Sequence, residues 1–362
     1  RRGVNMTNID YLDSAISTCF SMRKIKNIVI VQKARPFRLR PQNHLLIVSP
    51  FGTFKSSITQ QLRRLAFDDI FVNDDFTKPS IEGSISKDGD YVPSILINVG
   101  GKIFVIDEWN SVGTFGQNSM LSLLENQESS RSLGFKVKKD YKFKDKHGFI
   151  NYEVKENRIS IRAIFSCIAY AMEYPMYDNS QKSKALLSRF SPLFIQPTKE
   201  YMRAGTIGEF DINIEDHSRQ IDTVTIPQKV YRDFWAKFHE YIDDHGLWPS
   251  DTLDYGFVSR TQSEITRYGV YNYLKAKDLH KETKKIKELE IDDAAYFEQS
   301  FDFIQTILLQ FTNPETKDKI VQFKLIREKY PEANKSQLAR LMGVSTQTIR
   351  SYSEKLDAKL SK

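Results

Sequence analysis

Residues 44–57 read His44-Leu-Leu-Ile-Val-Ser49-Pro50-Phe51-Gly52-Thr53-Phe54-Lys55-Ser56-Ser57. A short apolar run enters a loop with one proline and one glycine. It leaves through Lys-Ser-Ser into a segment with helical spacing over 57–66. A strand, a tight loop and a helix opening on Lys and a hydroxyl residue direct backbone N–H groups and a helix N-terminus at phosphate. In that reading Pro50, Phe51, Gly52, Thr53, Phe54, Lys55, Ser56 and Ser57 line a nucleotide. Lys55 takes the β- and γ-phosphates and the Ser56 hydroxyl sits on Mg2+. The generic spacing GxxxxGK[ST] carries two glycines, where this chain has Ser49 and Phe54. Taken alone, the segment fits an ordinary strand–turn–helix as well as it fits a phosphate loop.

A second element decides between the two. Gly100-Gly101-Lys-Ile-Phe-Val-Ile-Asp107-Glu108 is an apolar strand that ends in two acids. After a phosphate loop, such a pair supplies an Asp for the magnesium shell and a Glu that polarises the attacking water. Asp107 and Glu108 take these roles, and the implied cofactors are ATP and Mg2+. Further apolar runs at 70–72 and 163–169 alternate with helical patterns, including 119–127. That alternation predicts an α/β fold with a largely parallel sheet. Residues 135–161 break the rhythm with alternating polar and apolar positions around Asp145-Lys146-His147-Gly148, which predicts an inserted β-hairpin with its tip there.

These motifs, taken with Leu124-Glu-Asn-Gln127, Ala185-Leu-Leu-Ser-Arg189-Phe-Ser-Pro-Leu-Phe and Ser259-Arg260-Thr-Gln-Ser-Glu-Ile-Thr-Arg267, resemble in order the minichromosome maintenance (MCM) ATPases of the AAA+ class. The resemblance spans about 44–311. It implies an AAA+ P-loop domain with a parallel sheet, a helical lid and a C-terminal helix-turn-helix or winged-helix module. It makes Arg189 the arginine finger and Arg260 the sensor 2 arginine, both given to a neighbouring subunit's nucleotide, and so implies a homo-oligomer, a hexameric ring. By the same resemblance the hairpin lysines Lys142, Lys144 and Lys146 touch DNA in the ring channel. The family closes its fourth strand with a polar asparagine, and here that position is read as Ala169. The family's N-terminal oligonucleotide-binding domain is not among these residues, and by analogy that compactness suggests a mobile element.

The predicted organisation is an N-terminal helical and basic segment (1–42), an ATPase core (43–229), a helical lid (230–312) and a C-terminal module (313–362). In the first segment, 27–31 reads as a short strand and Arg35–Pro41 as a basic connector. In the last, Lys335–Leu341, Gly343 and Ser345–Leu356 read as helix-turn-helix, with Leu338, Ala339, Val344 and Ile349 packing the helices. Ser345, Thr346, Gln347 and Arg350 then face outward toward duplex DNA.

The 362 residues hold 53 Lys+Arg against 46 Asp+Glu, but the charge is uneven. Residues 1–42 carry nine basic and two acidic residues, 131–162 ten and four, and 313–362 eleven and six. Three basic segments therefore sit on an acidic remainder, which favours DNA, single-stranded or forked, as a partner. A 40% hydrophobic content excludes wholesale disorder. Two cysteines build no disulfide framework, and no run is long enough to span a membrane, so the expected setting is cytoplasmic. Two functions follow: an ATP-driven DNA helicase or translocase in replication, or an ATP-switched DNA-binding initiator or regulator without processive unwinding.

Overall fold

The computed structural model describes residues 8–32, 35–39, 42–50, 52–65, 70–73, 80–81, 83–109, 112, 114–172, 189–195, 202–203, 206, 220–247, 252–279, 285–308, 323–324, 326–328, 330–342 and 344–360. In chain order the elements are α1 (Asn8–Met22), β1 (Asn27–Gln32), β2 (Arg35–Leu39), β3 (His44–Val48), α2 (Lys55–Leu65), β4 (Ile70–Asn73), β5 (Ser84–Ile85), β6 (Tyr91–Val92), β7 (Ile103–Ile106) and α3 (Thr114–Asn126). An antiparallel insert follows, made of β8 (Glu128–Ser132), β9 (Tyr141–Lys144), β10 (Ile150–Lys155) and β11 (Arg158–Ala163). Then come β12 (Ser166–Ala171), β13 (Ser191–Phe194), β14 (Ile221–Pro227), α4 (Gln228–Asp244), α5 (Thr252–Ala276), β15 (Ile286–Glu290), α6 (Ala295–Glu298) and α7 (Phe301–Leu308). The last two are α8 (Lys335–Met342) and α9 (Thr346–Leu360).

The expected parallel sheet is present in the order β13-β3-β12-β7-β4, with every pairing parallel. Its central strands are buried along their whole length, because a parallel sheet carries cover on both faces. Alternate residues go to opposite sides. Leu45, Ile47, Val105 and Ile168 meet Leu12, Ile16 and Phe20 of α1 and Ile58 and Leu62 of α2. Leu46, Phe104, Ile106 and Ala169 meet Met120, Leu123 and Leu124 of α3 and the inner side of the insert.

The division at 42 and 229 does not follow the tertiary structure. A second sheet, β15-β14-β1-β2, joins the N-terminal segment to the region read as a helical lid. β1 lies parallel to β14, and β14 parallel to β15, where the sequence pattern predicts helix through 258–289. The basic connector is β2, an antiparallel edge strand, the one setting in which Pro36 fits a sheet. Helix α1 belongs to the core. Leu12, Ile16, Phe20 and Met22 are fully buried. At roughly 1.5–3 kcal/mol each, their burial is on the scale of a whole domain's stability. Arg23 is likewise fully buried, and Lys26 pairs with Asp222 at 3.6 Å.

The insert is a four-stranded sheet, β8-β11-β10-β9, rather than one hairpin, and its tip is elsewhere than expected. In the Asp145–Gly148 turn, the Asp145 carboxylate accepts from the His147 and Ile150 N–H groups. Phe149 then folds back onto the start of β7. A Cβ on Gly101 (φ +67°) would come within 2.7 Å of its ring, and one on Gly100 within 3.0 Å of Ile150. This close approach accounts for the glycine pair. The end away from the core is the Glu156–Asn157 turn between β10 and β11, flanked by exposed Lys155 and Arg158 and by the 133–140 segment, whose Val137 N–H donates to Glu156 O at 2.8 Å. Both turns carry turn-forming residues, and only the burial of Phe149 assigns which is proximal.

The C-terminal helices match the predicted pattern. Leu338, Ala339, Met342 and Ile349 are buried together with Phe323 and Ile326, and Val344 packs beside them. Asn334 and Gln337 cap α8 reciprocally, at 3.0 and 2.8 Å. Gly343 and 313–322 lie outside the described residues. No strand follows β15 among the described residues. No helix among the described residues is long and apolar enough to cross a membrane.

His44 bolts the lower end of this core together. Its Nδ1 accepts from the Cys167 N–H at 3.1 Å, and its Nε2 lies 3.2 Å from Leu124 O at the end of α3. Burial pushes the imidazole from 6.5 down to about 3, with Arg267 adding to the fall and the Leu124 carbonyl opposing it. An unfolded chain takes up this proton near pH 6.5 and the folded one only near 3. The stability it contributes is therefore complete above 6.5 and lost as pH falls through that window. Between pH 7.5 and 5.5 the loss from this group is about 1.4 kcal/mol. Urea unfolding at both pH values should show this difference in the wild type and not in His44→Gln, and an unchanged pH dependence in the variant would show that His44 does not stay neutral.

Candidate nucleotide site

The phosphate-loop segment lies at the C-terminal edge of the parallel sheet, between β3 and α2. Such an edge, where strand order reverses, is where open α/β sheets bind ligands. The Ser49 N–H donates to Ala171 O at 3.0 Å, so the loop starts level with the end of β12. Thr53 donates its hydroxyl to Pro50 O at 2.8 Å and also meets the Ser49 hydroxyl, closing the loop on itself. Gly52 has φ +74° with open space where a side chain would sit. Phe54 stands where the generic motif has its second glycine and adopts φ +61°, a left-handed conformation that costs an L-residue roughly 1–2 kcal/mol. Phe54 thus holds a backbone conformation that favours glycine. Phe51 lies outside the described residues.

Lys55 opens α2 and turns back, donating from Nζ to Ser49 O at 2.9 Å. Burial lowers its ammonium below the usual lysine range, while the carboxylates of Glu108 first and Asp107 second pull it up. Electrostatically, then, the two motifs face each other. Thr59, one turn along α2, donates to Asp107 Oδ1 at 3.4 Å and aims that carboxylate. The sequence reading did not single out Thr59, although a hydroxyl four residues after the motif lysine lies on the same helix face. Ser56 and Glu108 are exposed, and Ser57 and Asp107 are half-buried. Among the described residues no group of three or more His, Cys, Asp or Glu side chains is placed to hold a metal without a ligand. The donor set fits a phosphate-bound magnesium: one hydroxyl, one oriented carboxylate, one ammonium and an open loop.

Residues 44–190 match the family model of the AAA domain, dynein-related subfamily. They form an AAA+ domain. The match reaches the coarser class and not the MCM family whose motifs the sequence resembles. No curated protein matches the chain.

When bound, magnesium–ATP supplies an electrophilic γ-phosphorus to this AAA+ domain. Ser56 and Asp107 would hold the ion and Lys55 the phosphate oxygens, while Glu108, exposed just past Asp107, would accept a proton from a water. The position read as Ala169 is not the end of β12. Ala169 pairs with Leu46 and Ile106 in mid-strand and is fully buried. The strand runs to Ala171 and the edge is reached at Met172, so the residue there is still apolar.

The other assigned residues lie away from this loop. Arg189 stands two residues before Ser191, which pairs with Leu45 at the start of β3. At ~3.3 Å per residue it is about 20 Å from its own phosphate loop, at the opposite edge of the sheet and beyond an arginine's reach. It pairs there with Glu125. Of its motif, Ala185–Ser188 lie outside the described residues. Arg260 is on α5, and its side chain lies outside the described residues. Two turns further on, Arg267 donates to Glu264, whose carboxyl is pushed up by desolvation against the pull of Arg267 and Ser191. Lys142, Lys144 and Lys146 are exposed on the insert, the last two at its core end. Thr346, Gln347 and Arg350 are exposed on α9, whereas the Ser345 hydroxyl is committed to capping that helix through the Thr348 N–H at 3.1 Å.

A charged hydrogen-bonding partner is worth roughly 1.5–3 kcal/mol. Lys55→Ala should therefore weaken ATP binding roughly ten- to hundredfold in calorimetry or fluorescent-nucleotide titration. Unchanged affinity in a folded variant would remove the loop assignment. Thr59→Val should leave nucleotide affinity without magnesium intact and weaken the magnesium-dependent part, since only the aim of Asp107 is lost.

Proposed function

We propose that the protein is a ring-forming, ATP-driven DNA translocase or helicase of the MCM-like kind. The observation that carries this is the continuity between the insert and the nucleotide site. β11 ends at Ala163 and β12 begins at Ser166, and β12 runs between β3 and β7 to the point where Ala171 O holds the first residue of the phosphate loop. A shift at the loop is therefore transmitted along one strand to the insert's outer turn.

The outer face of the insert suits a phosphate backbone. In register across its strands stand Lys144, Asn151, Arg162 and Glu128, then Lys142, Glu153, Ser160 and Ser130, then Lys155, Arg158 and Ser132. Five cations face two acids there, and both acids are already paired, Lys142–Glu153 at 4.0 Å and Arg162–Glu128 at 3.6 Å. Contacts of Lys and Arg with phosphate are independent of sequence, as a moving enzyme needs. DNA contact is accordingly assigned to Lys155 and Arg158 at the outer turn and to this face, in place of a tip at Lys144 and Lys146.

The position of Arg189 supports a shared site. At the edge opposite its own loop it can serve only a neighbour's nucleotide, where a guanidinium stabilises transition-state charge. Arg260 is taken as the second trans cation and the ring as a hexamer. One observation favours the ATP-switched DNA-binding alternative: the apolar end of β12, where the resemblance calls for a polar side chain beside the lytic water. The exposed face of α9 serves duplex DNA in either case.

Arg189→Ala should bind ATP but lose turnover, and mixing it with Glu108→Gln should restore activity at hybrid interfaces. Absence of rescue in verified mixed rings would argue against a shared site. Lys155→Ala with Arg158→Ala should lower the salt slope of single-stranded DNA binding by about 1.4 and abolish strand displacement on forked DNA. The pair Lys144→Ala with Lys146→Ala should do less. Equal effects of the two pairs would count against the outer turn, and ATP turnover and DNA binding without strand displacement in the wild type would favour the switched binder.

A further inference from the structure

We propose that Glu125 is the positioning residue of the arginine that each subunit lends to its neighbour, an inference that rests on the shared-site reading above. The Arg189 Nη2 donates to Glu125 Oε2 within one chain. The arginine side chain is 13% exposed and the glutamate 41%, so the guanidinium is largely covered while the pair still reaches the surface.

Both ends of this pair are anchored to the same edge of the sheet. Glu125 lies in the last turn of α3, and the two carbonyls before it are held by side chains from the start of β3. Gln42 donates to Leu123 O at 3.1 Å, and neutral His44 lies 3.2 Å from Leu124 O. The helix stops at Gln127, whose φ of +58° turns the chain into β8. On the other side Phe190, next to Arg189, is buried with its ring edge-on to Trp109 at 5.2 Å and to His44 at 6.1 Å. Carboxylate and guanidinium are thus carried on backbone that packing fixes at the level of His44.

An arginine side chain loses rotamer freedom when it is held in place, and its planar fork offers five donors. Glu125 accepts from Nη2 and fixes the plane of the group when the chain folds. The ordering cost is then met in advance and not at the moment of reaction, which is what preorganised electrostatic stabilisation requires. Glu125 touches no substrate and acts only through Arg189.

The experiment is steady-state ATP turnover by the assembled oligomer, comparing wild type, Glu125→Gln, Glu125→Ala, Arg189→Ala and the Glu125→Ala/Arg189→Ala double variant, with oligomer mass and thermal stability checked for each. Misplacing a reacting group by about 1 Å can cost on the order of a hundredfold. Glu125→Ala should therefore lower kcat roughly ten- to hundredfold with KM for ATP unchanged, and Glu125→Gln, which can still accept the hydrogen bond, should fall between. The double variant should be no worse than Arg189→Ala, because the two residues act as a unit. Glu125→Ala mixed with Glu108→Gln should regain turnover, since the intact site then faces an intact arginine. Wild-type or raised turnover in Glu125→Ala beside a dead Arg189→Ala would overturn the positioning role and leave the shared site standing. Losses that add in the double variant would do the same. Full turnover in Arg189→Ala would overturn the shared site, and this inference with it.

Discussion

A parallel sheet has two chemically different edges, and the placement of function in this protein follows from that polarity. All five core strands run in one direction, so every strand delivers its last residues to one edge and its first to the other. Lys55, Ser56, Asp107 and Glu108 follow strand ends and gather at the nucleotide edge. Arg189 precedes a strand and stands at the opposite one. No side-chain rearrangement brings these groups together within one subunit, because about five residues of extended backbone lie between them.

The same sheet explains the position of the basic insert. It enters β12 through two residues, with Phe149 and Ile150 set against the backbone of Gly100 and Gly101, so its inner face is part of the core. Alternation then sends the cations of β9, β10 and β11 to the outer face in register. Three separate basic segments in the sequence become one exposed cationic sheet, one exposed helix face on α9, and an N-terminal portion that supplies structure. In that portion Arg23 is buried and Lys26 is paired, and the helix carrying the apolar residues is among the most covered elements of the molecule. Charge counted along a chain does not separate these cases, because it carries no information on what each side chain meets.

Much of the site was legible from residues 44–57 and 100–108. Strand, loop and acid pair are local, and phosphate chemistry limits which residue types can stand there. The departures at Ser49 and Phe54 obscured the motif, and Phe54 takes a left-handed backbone conformation that favours glycine. Thr59, Glu125 and the aromatic contact between Trp109 and Phe190 were not legible. Each acts on a residue far away in sequence, and each has a common alternative as an ordinary helix or core residue.

By itself the sequence determined the alternation of strands and helices, the edge at which the nucleotide groups gather and the pairing of the last two helices. Periodicity and capping are written within a few residues of where they act. Only the tertiary structure decided that the first forty residues share a sheet with β14 and β15, that the turn at Asp145–Gly148 is the inner end of the insert, and that Arg189 meets Glu125. Those outcomes depend on which apolar surfaces find each other across more than forty residues of chain, through burial of groups such as Phe149, Ile28 and Phe190. Hydrophobic burial is non-directional, so the order of residues names the candidates for contact, and the packed core selects among them.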